Sequence, residues 1–316
     1  MSISSPASQT PVFLITGWLG SGKTTLLNHI LSKANGKKYA VLINEFGELG
    51  IDDKLIKNEK DGIIELSNGC VCCTIRGDLA EKMISLKKRK WPLFKRPQYD
   101  AVFIETTGLA EPAPLLRTFL VEEEVASWFK VQNIITVIDS KNFDAAMAHS
   151  TAVEQISLAD IALINNKKTV LEDLEEKVRG INPIAKILVN DVREIDTKVL
   201  INKNNSSMQS IPTSFKENAH DLNTITLTSE IPSDLLKIQL WLDSCVLNLG
   251  EDLIRYKGFL HIKEYSYSCL LQGVYDLYEV TAHDDWPAKP CTEIVFIGKN
   301  LNYDFLQKGL VATLAT

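Results

Sequence analysis

Short apolar runs rich in β-branched residues recur through the first two thirds of the chain, at 12–16, 39–43, 101–104, 134–138, 161–165 and 187–189. Segments long enough for helices separate several of them, and this alternation predicts an α/β fold with a doubly wound, mostly parallel sheet. After the first run, Leu26, Leu27, Ile30 and Leu31 fall on one side of a 3.6-residue period, so a helix packs on that sheet and a tight βα turn precedes it. From 196 to 223 the text turns polar, with Asn202, Asn204, Asn205, Ser206, Ser207 and Ser210, and reads as a mobile connector. It divides the chain into an expected domain at 1–205 and a smaller α+β domain at 222–316. In the second domain Leu235, Leu236, Ile238, Leu240, Trp241, Leu242, Val246 and Leu247 predict one helix. Strands are expected at 259–262, 273–280 and 293–297, and a last helix at 302–310.

Composition narrows the partners. The 316 residues carry 34 basic and 40 acidic side chains, a formal charge of −6, which argues against a broad nucleic-acid surface and makes any phosphate contact local. No window approaches the ~20 apolar residues of a spanning helix, so no membrane partner is expected. Residues 1–11 lack the charged start and apolar stretch of a secretory signal, which points to the cytosol. The six cysteines are too sparse for a disulfide scaffold, yet three fall within four positions, a spacing that suits metal or thiol chemistry.

Residues 17–24, Gly-Trp-Leu-Gly-Ser-Gly-Lys-Thr, fit the G-x-x-x-x-G-K-T pattern in full, between an apolar strand and an amphipathic helix. Gly17, Gly20 and Gly22, with Ser21 among them, let the backbone curl so that N–H groups and the helix N-terminus face phosphates. Lys23 reaches the β- and γ-oxygens, and the Thr24 hydroxyl can ligate Mg²⁺. The run at 101–104 ends in Glu105, placed to hold the magnesium shell through water. Gly108 follows, able to aim an N–H at the γ-phosphate and to swing when that group leaves. Between these elements, 44–53 sets Glu45, Glu48, Asp52 and Asp53 beside Gly47 and Gly50, as a switch segment would. Asp53 or Glu45 could approach the metal or orient the attacking water; a solvated acidic loop is the alternative.

Cys70, Cys72 and Cys73 can share one soft cation if the backbone turns sharply. Structural zinc sites close with four protein ligands, so three favour a site that accepts a further ligand or passes its ion on. A redox pair at Cys70 and Cys73, or three inert buried thiols, are the competing readings.

These residues resemble the CobW-like family of metal-handling P-loop GTPases. The likeness rests on residues 17–25, including Thr25, on Asn44-Glu45-Phe46-Gly47 with Ile51-Asp52, and on Gly69-Cys70-Val71-Cys72-Cys73. It continues through residues 105–112, Gln155 with Ala159-Asp160, 255–258 and 295–301. The resemblance implies a GTP-hydrolysing metallochaperone in which Cys70, Cys72 and Cys73 bind Zn²⁺ or Co²⁺ for delivery to a client metalloprotein. It also implies GTP and GDP as nucleotides and pairing of two copies when nucleotide binds. One departure stands out. The family carries Asn-Lys-x-Asp after a strand, its aspartate pairing with guanine; here Asn165, Asn166 and Lys167 are followed by Lys168 and Thr169, and no register supplies the carboxylate. GTP remains the expected substrate, held near Asn165, Asn166 and Lys167, with Asp191 as a candidate contributor. The alternative is a P-loop small-molecule kinase or ATPase with a structural zinc. His149 is a candidate extra ligand, Trp18 a candidate packing surface for a partner, and Cys245, Cys269 and Cys291 are expected in the core.

Overall fold

A computed structural model describes residues 9–44, 63–66, 75–87, 98–166, 172–201, 222–286 and 289–315. They fall into two compact units, 8–176 with 185–207, and 208–316 with 177–184.

The first unit begins with β1 (Thr10–Thr16), α1 (Lys23–Ser32), β2 (Tyr39–Asn44), β3 (Ile63–Leu66) and α2 (Ile75–Lys87). It continues through β4 (Ala101–Thr106), α3 (Ala113–Val121), α4 (Glu123–Trp128), β5 (Phe129–Asp139), α5 (Phe143–Met147) and α6 (Ser150–Ser157). It ends with β6 (Ile161–Asn165), the first residues of α7 (Glu172–Ile181), which from Lys177 on is counted with the second unit, β7 (Lys186–Asn190) and α8 (Thr197–Ile201). Among the described residues the seven strands form one all-parallel sheet in the order β3-β2-β4-β1-β5-β6-β7. The expected doubly wound α/β architecture is therefore the observed one. Every residue of β4 is buried, the pattern of a strand covered on both faces. Phe13, Ile15, Phe103 and Val137 meet Leu26, Leu27 and Ile30 of α1 in the core, which is why these apolar residues, three and four apart, make a helix here. After β1 the chain crosses to β2 and β3 on one side and later to β5 on the other. The C-terminal ends of β1 and β4 thus lie where open α/β sheets bind ligands.

The second unit holds β8 (Leu222–Ser229), α9 (Leu235–Leu249), β9 (Leu253–Leu260), β10 (Cys269–Val274), β11 (Leu277–Ala282), β12 (Thr292–Lys299) and α10 (Tyr303–Thr313). Its antiparallel sheet runs β11-β10-β9-β12-β8. Asp234 and Asn302 cap α9 and α10, accepting from the N–H groups of Lys237 and Phe305. The strand expected at 273–280 is corrected to a hairpin. Val274 pairs with Leu277 across a two-residue turn in which Tyr275 takes a positive φ of 52°. The polar connector expected from 196 to 223 begins with α8 and gives way to β8 at Leu222. Cys245 and Cys269 are fully buried and Cys291 is half-buried. Burial lifts the first two thiols to about 12 and about 11, so both stay protonated near neutrality.

Candidate functional site

The loop after β1 takes its shape from glycine. Gly17, Gly20 and Gly22 have φ of 135°, 73° and 105°, and a Cβ on Gly17 would strike the Val137 carbonyl of β5. Gly22 is also the residue before α1, and with no side chain to cap that helix it leaves the first-turn N–H groups, Thr25 included, facing the loop.

Inside this loop Lys23 is 8% exposed, and its ammonium donates to the Trp18 carbonyl at 3.1 Å. Burial pushes the Lys23 pKa below the ordinary lysine value, while the Glu105 carboxylate opposes that shift. Thr24 donates its hydroxyl to Oε1 of Glu105 at 2.6 Å, and Glu105 itself is 5% exposed. A hydroxyl and a carboxylate so close are the hard oxygen donors that Mg²⁺ prefers, so these residues fit that ion. Beneath them Thr106 donates to the hydroxyl of Thr16 at 2.9 Å, tying the ends of β4 and β1 together. Ser21 is fully buried, and its hydroxyl has no hydrogen-bond partner among the described residues.

Gly108 lies directly on the loop. A Cβ there would come within 2.5 Å of the Leu19 nitrogen and 2.6 Å of its Cα, so only glycine permits this approach. Gln155 of α6 reaches the same segment, donating from Nε2 to the carbonyls of Gly108 at 3.2 Å and Ala110 at 3.1 Å. Glu154 beside it accepts from the N–H of Ala113; burial, and then the charge of Glu111, push its carboxyl up to about 7. Trp18 stacks on His149, ring centroids 4.5 Å apart, over a cavity of about 20 Å³. His149 thus meets an indole on its own chain.

Asn165, at the end of β6, supports the loop from behind. Its Nδ2 donates to the Ser21 carbonyl at 2.9 Å, and its Oδ1 accepts from Val192 at 3.4 Å. Asn166 donates its backbone N–H to Asn190. Asp191 is turned to a local task, its Oδ1 accepting from the N–H of Arg193 at 2.9 Å. Structure therefore gathers Gly17, Gly20, Ser21, Gly22, Lys23, Thr24, Thr25, Glu105, Gly108 and Asn165 at one end of the sheet. Glu45, Asp53, Cys70, Cys72, Cys73 and Lys167 lie outside the described residues. The clamp by Gln155 and the Trp18–His149 stack were not expected. Gln155 stood out in the sequence through the family likeness alone; a glutamine among Ala152, Val153, Ile156 and Ser157 on the buried side of α6 is the further signal that could have marked the clamp.

A parallel sheet whose first strand opens into this loop, with a strand-end carboxylate bonded to the residue after the lysine, defines a P-loop nucleotide-binding protein. Residues 11–189 match the family described as CobW/HypB/UreG, nucleotide-binding domain, and residues 222–314 match the cobalamin synthesis protein cobW C-terminal domain. The chain belongs to the CobW family of P-loop GTPases. It is 33% identical to the zinc chaperone YjiA of Escherichia coli over 302 residues, covering 92% of this chain and 94% of that one. It is 30% identical to the zinc-regulated GTPase metalloprotein activator 1 of Schizosaccharomyces pombe, covering 92% and 83%. The crystal structure of the Zn(II)-bound YjiA GTPase from E. coli superimposes with a TM-score of 0.73 at 29% identity, over 98% of this chain and all of that one. Among the described residues no helix is long and apolar enough to cross a membrane.

Proposed function

We propose that this chain hydrolyses GTP and couples that hydrolysis to the carriage of zinc, bound by Cys70, Cys72 and Cys73, to a client metalloprotein. The observation that carries the proposal is the Thr24–Glu105 hydrogen bond under the phosphate loop, in a chain that aligns along nearly the whole of a zinc chaperone. In this reading Gly17, Gly20, Ser21, Gly22 and Thr25 cradle the phosphates, with Asn165 bracing the loop and Asn166 and Lys167 beside the base. Thr24 directly, and Glu105 through water, would hold Mg²⁺, which would neutralise charge on the phosphate oxygens. Lys23 leaves the Trp18 carbonyl for the phosphates, an exchange favoured because its buried ammonium gains an anion. Water attacks the γ-phosphorus as the bond to the β-phosphate oxygen breaks; that oxygen keeps the electron pair, and the water's proton leaves with inorganic phosphate. Asp53, or Glu45, orients the water.

Three thiolates suit Zn²⁺ or Co²⁺ and leave a position for a client ligand. The three cysteines fall in sequence between the acidic segment at 44–53 and Glu105, where loss of the γ-phosphate can alter their geometry. The test is titration of Zn²⁺ and Co²⁺ into the wild-type chain and a Cys70→Ser/Cys72→Ser/Cys73→Ser variant, each with GTPγS or GDP bound. The expected result is a metal dissociation constant that differs between the two nucleotides in the wild type, and loss of tight binding in the variant. Tight binding by the triple variant would overturn the ligand set; equal constants would overturn the coupling.

A further inference from the structure

Gln155 is 1% exposed, and its side chain makes two bonds that neither phosphate binding nor metal carriage requires. Both hydrogens of its amide go to carbonyls of the segment that follows Glu105. Its backbone carbonyl accepts from the Thr136 hydroxyl at 2.6 Å, so the residue is moored to β5. Its Oε1 is buried with no hydrogen-bond partner among the described residues. Packing alone would be better served here by an apolar side chain, since a buried acceptor left unmatched is unfavourable. The donors, then, are what this position uses.

Two carbonyls held on the α6 side orient two peptide units, 108–109 and 110–111. A trans peptide points its N–H away from its carbonyl, so the N–H groups of Leu109 and Glu111 are turned away from Gln155. Gly108 at the same time rests on the Leu19 backbone, and His149, which precedes α6, stacks on Trp18. One short helix thus touches the phosphate loop at its start and the 108–110 segment near its end. We infer that Gln155 is a positioning residue that holds residues 108–110 closed against the phosphate loop, and so favours the triphosphate-bound state over the diphosphate-bound state. The inference rests on the nucleotide switch proposed above. A triphosphate reaches the closed segment through its γ-phosphate and a diphosphate does not, so weakening the closed state penalises the first selectively.

The test uses the full chain with Gln155→Met and Gln155→Glu, two replacements of similar length that remove the paired donors. Calorimetric titration with Mg²⁺ present should show the GTPγS dissociation constant rising about tenfold while that for GDP stays within about twofold, with a lower kcat. Equal changes for both nucleotides, or none, in variants that still melt cooperatively would overturn the inference. Hydrogen exchange on the wild type tests it without a variant: amides of 108–111 should be better protected with GTPγS than with GDP, and equal protection overturns it. A wild-type chain that binds neither nucleotide overturns the underlying switch itself, an outcome distinct from either of these.

Discussion

Thr24 gives its hydroxyl hydrogen to Glu105 across 81 residues of sequence, joining the first turn of α1 to the end of β4 at 2.6 Å. Glu105→Gln keeps the shape of this link and removes its charge. The expected outcome is a rise of about tenfold or more in the dissociation constant for Mg²⁺-GTP and about 10²–10³-fold slower hydrolysis, with metal-free nucleotide binding little changed. Titration of a fluorescent GTP analogue with and without Mg²⁺, alongside a phosphate-release assay, checks both parts.

Lys23 is held for function at a cost to the empty protein. Its folded pKa lies below the ordinary value, so between the two the unfolded chain binds more protons, and stability rises with pH through that window. Lys23→Met should flatten this dependence and raise the stability of the nucleotide-free chain by about 1 kcal/mol, or roughly 2–4 °C in Tm. It should also abolish the thermal stabilisation that GTP confers on the wild type. Melting curves at pH 7 and pH 10, with and without nucleotide, measure each effect.

Asn165 braces the phosphate loop without approaching residues 108–110. Asn165→Ala removes its bonds to Ser21 and Val192. Both nucleotides depend on the loop, so the affinities for GTPγS and GDP should fall together, by about 5–30-fold for a loss of about 1–2 kcal/mol. A selective loss for one nucleotide would contradict this role. Parallel calorimetry on this variant and those at Gln155 separates the two kinds of support.

Glu154 sets a pH dependence of opposite sign to that of Lys23. Its carboxyl is lifted from 4.5 to about 7, so between those values the folded chain binds more protons than the unfolded one and stability falls as pH rises. Glu154→Gln retains an acceptor for Ala113 and deletes the charge. It should leave stability at pH 4.5 nearly unchanged and increase it at pH 8 by about 1–3 kcal/mol. Urea unfolding at the two pH values reads the difference.

The first unit was legible because strands such as β4 and β6 are buried on both faces: an unbroken run such as Ala101 to Ile104 reads the same in sequence as in space. The phosphate loop was legible because glycine spacing and the Lys-Thr pair are local. The hairpin at Tyr275 was not, since its turn uses a tyrosine and an aspartate where glycine or asparagine would have signalled a break. β8 merged with the polar text before it because its burial is partial, with Leu222 and Leu227 its buried residues. Gln155 and Asn165 act through carbonyls 45–47 and 144 residues away, and no spacing rule encodes such contacts.

The central strand β1 finds its neighbours late, in β4 and β5, and Gly17 needs the Val137 carbonyl beside it. During synthesis, therefore, residues 17–24 emerge more than a hundred residues ahead of Val137, and the phosphate loop takes shape only once β5 is available. Until then the chain has no formed loop with which to hold a nucleotide.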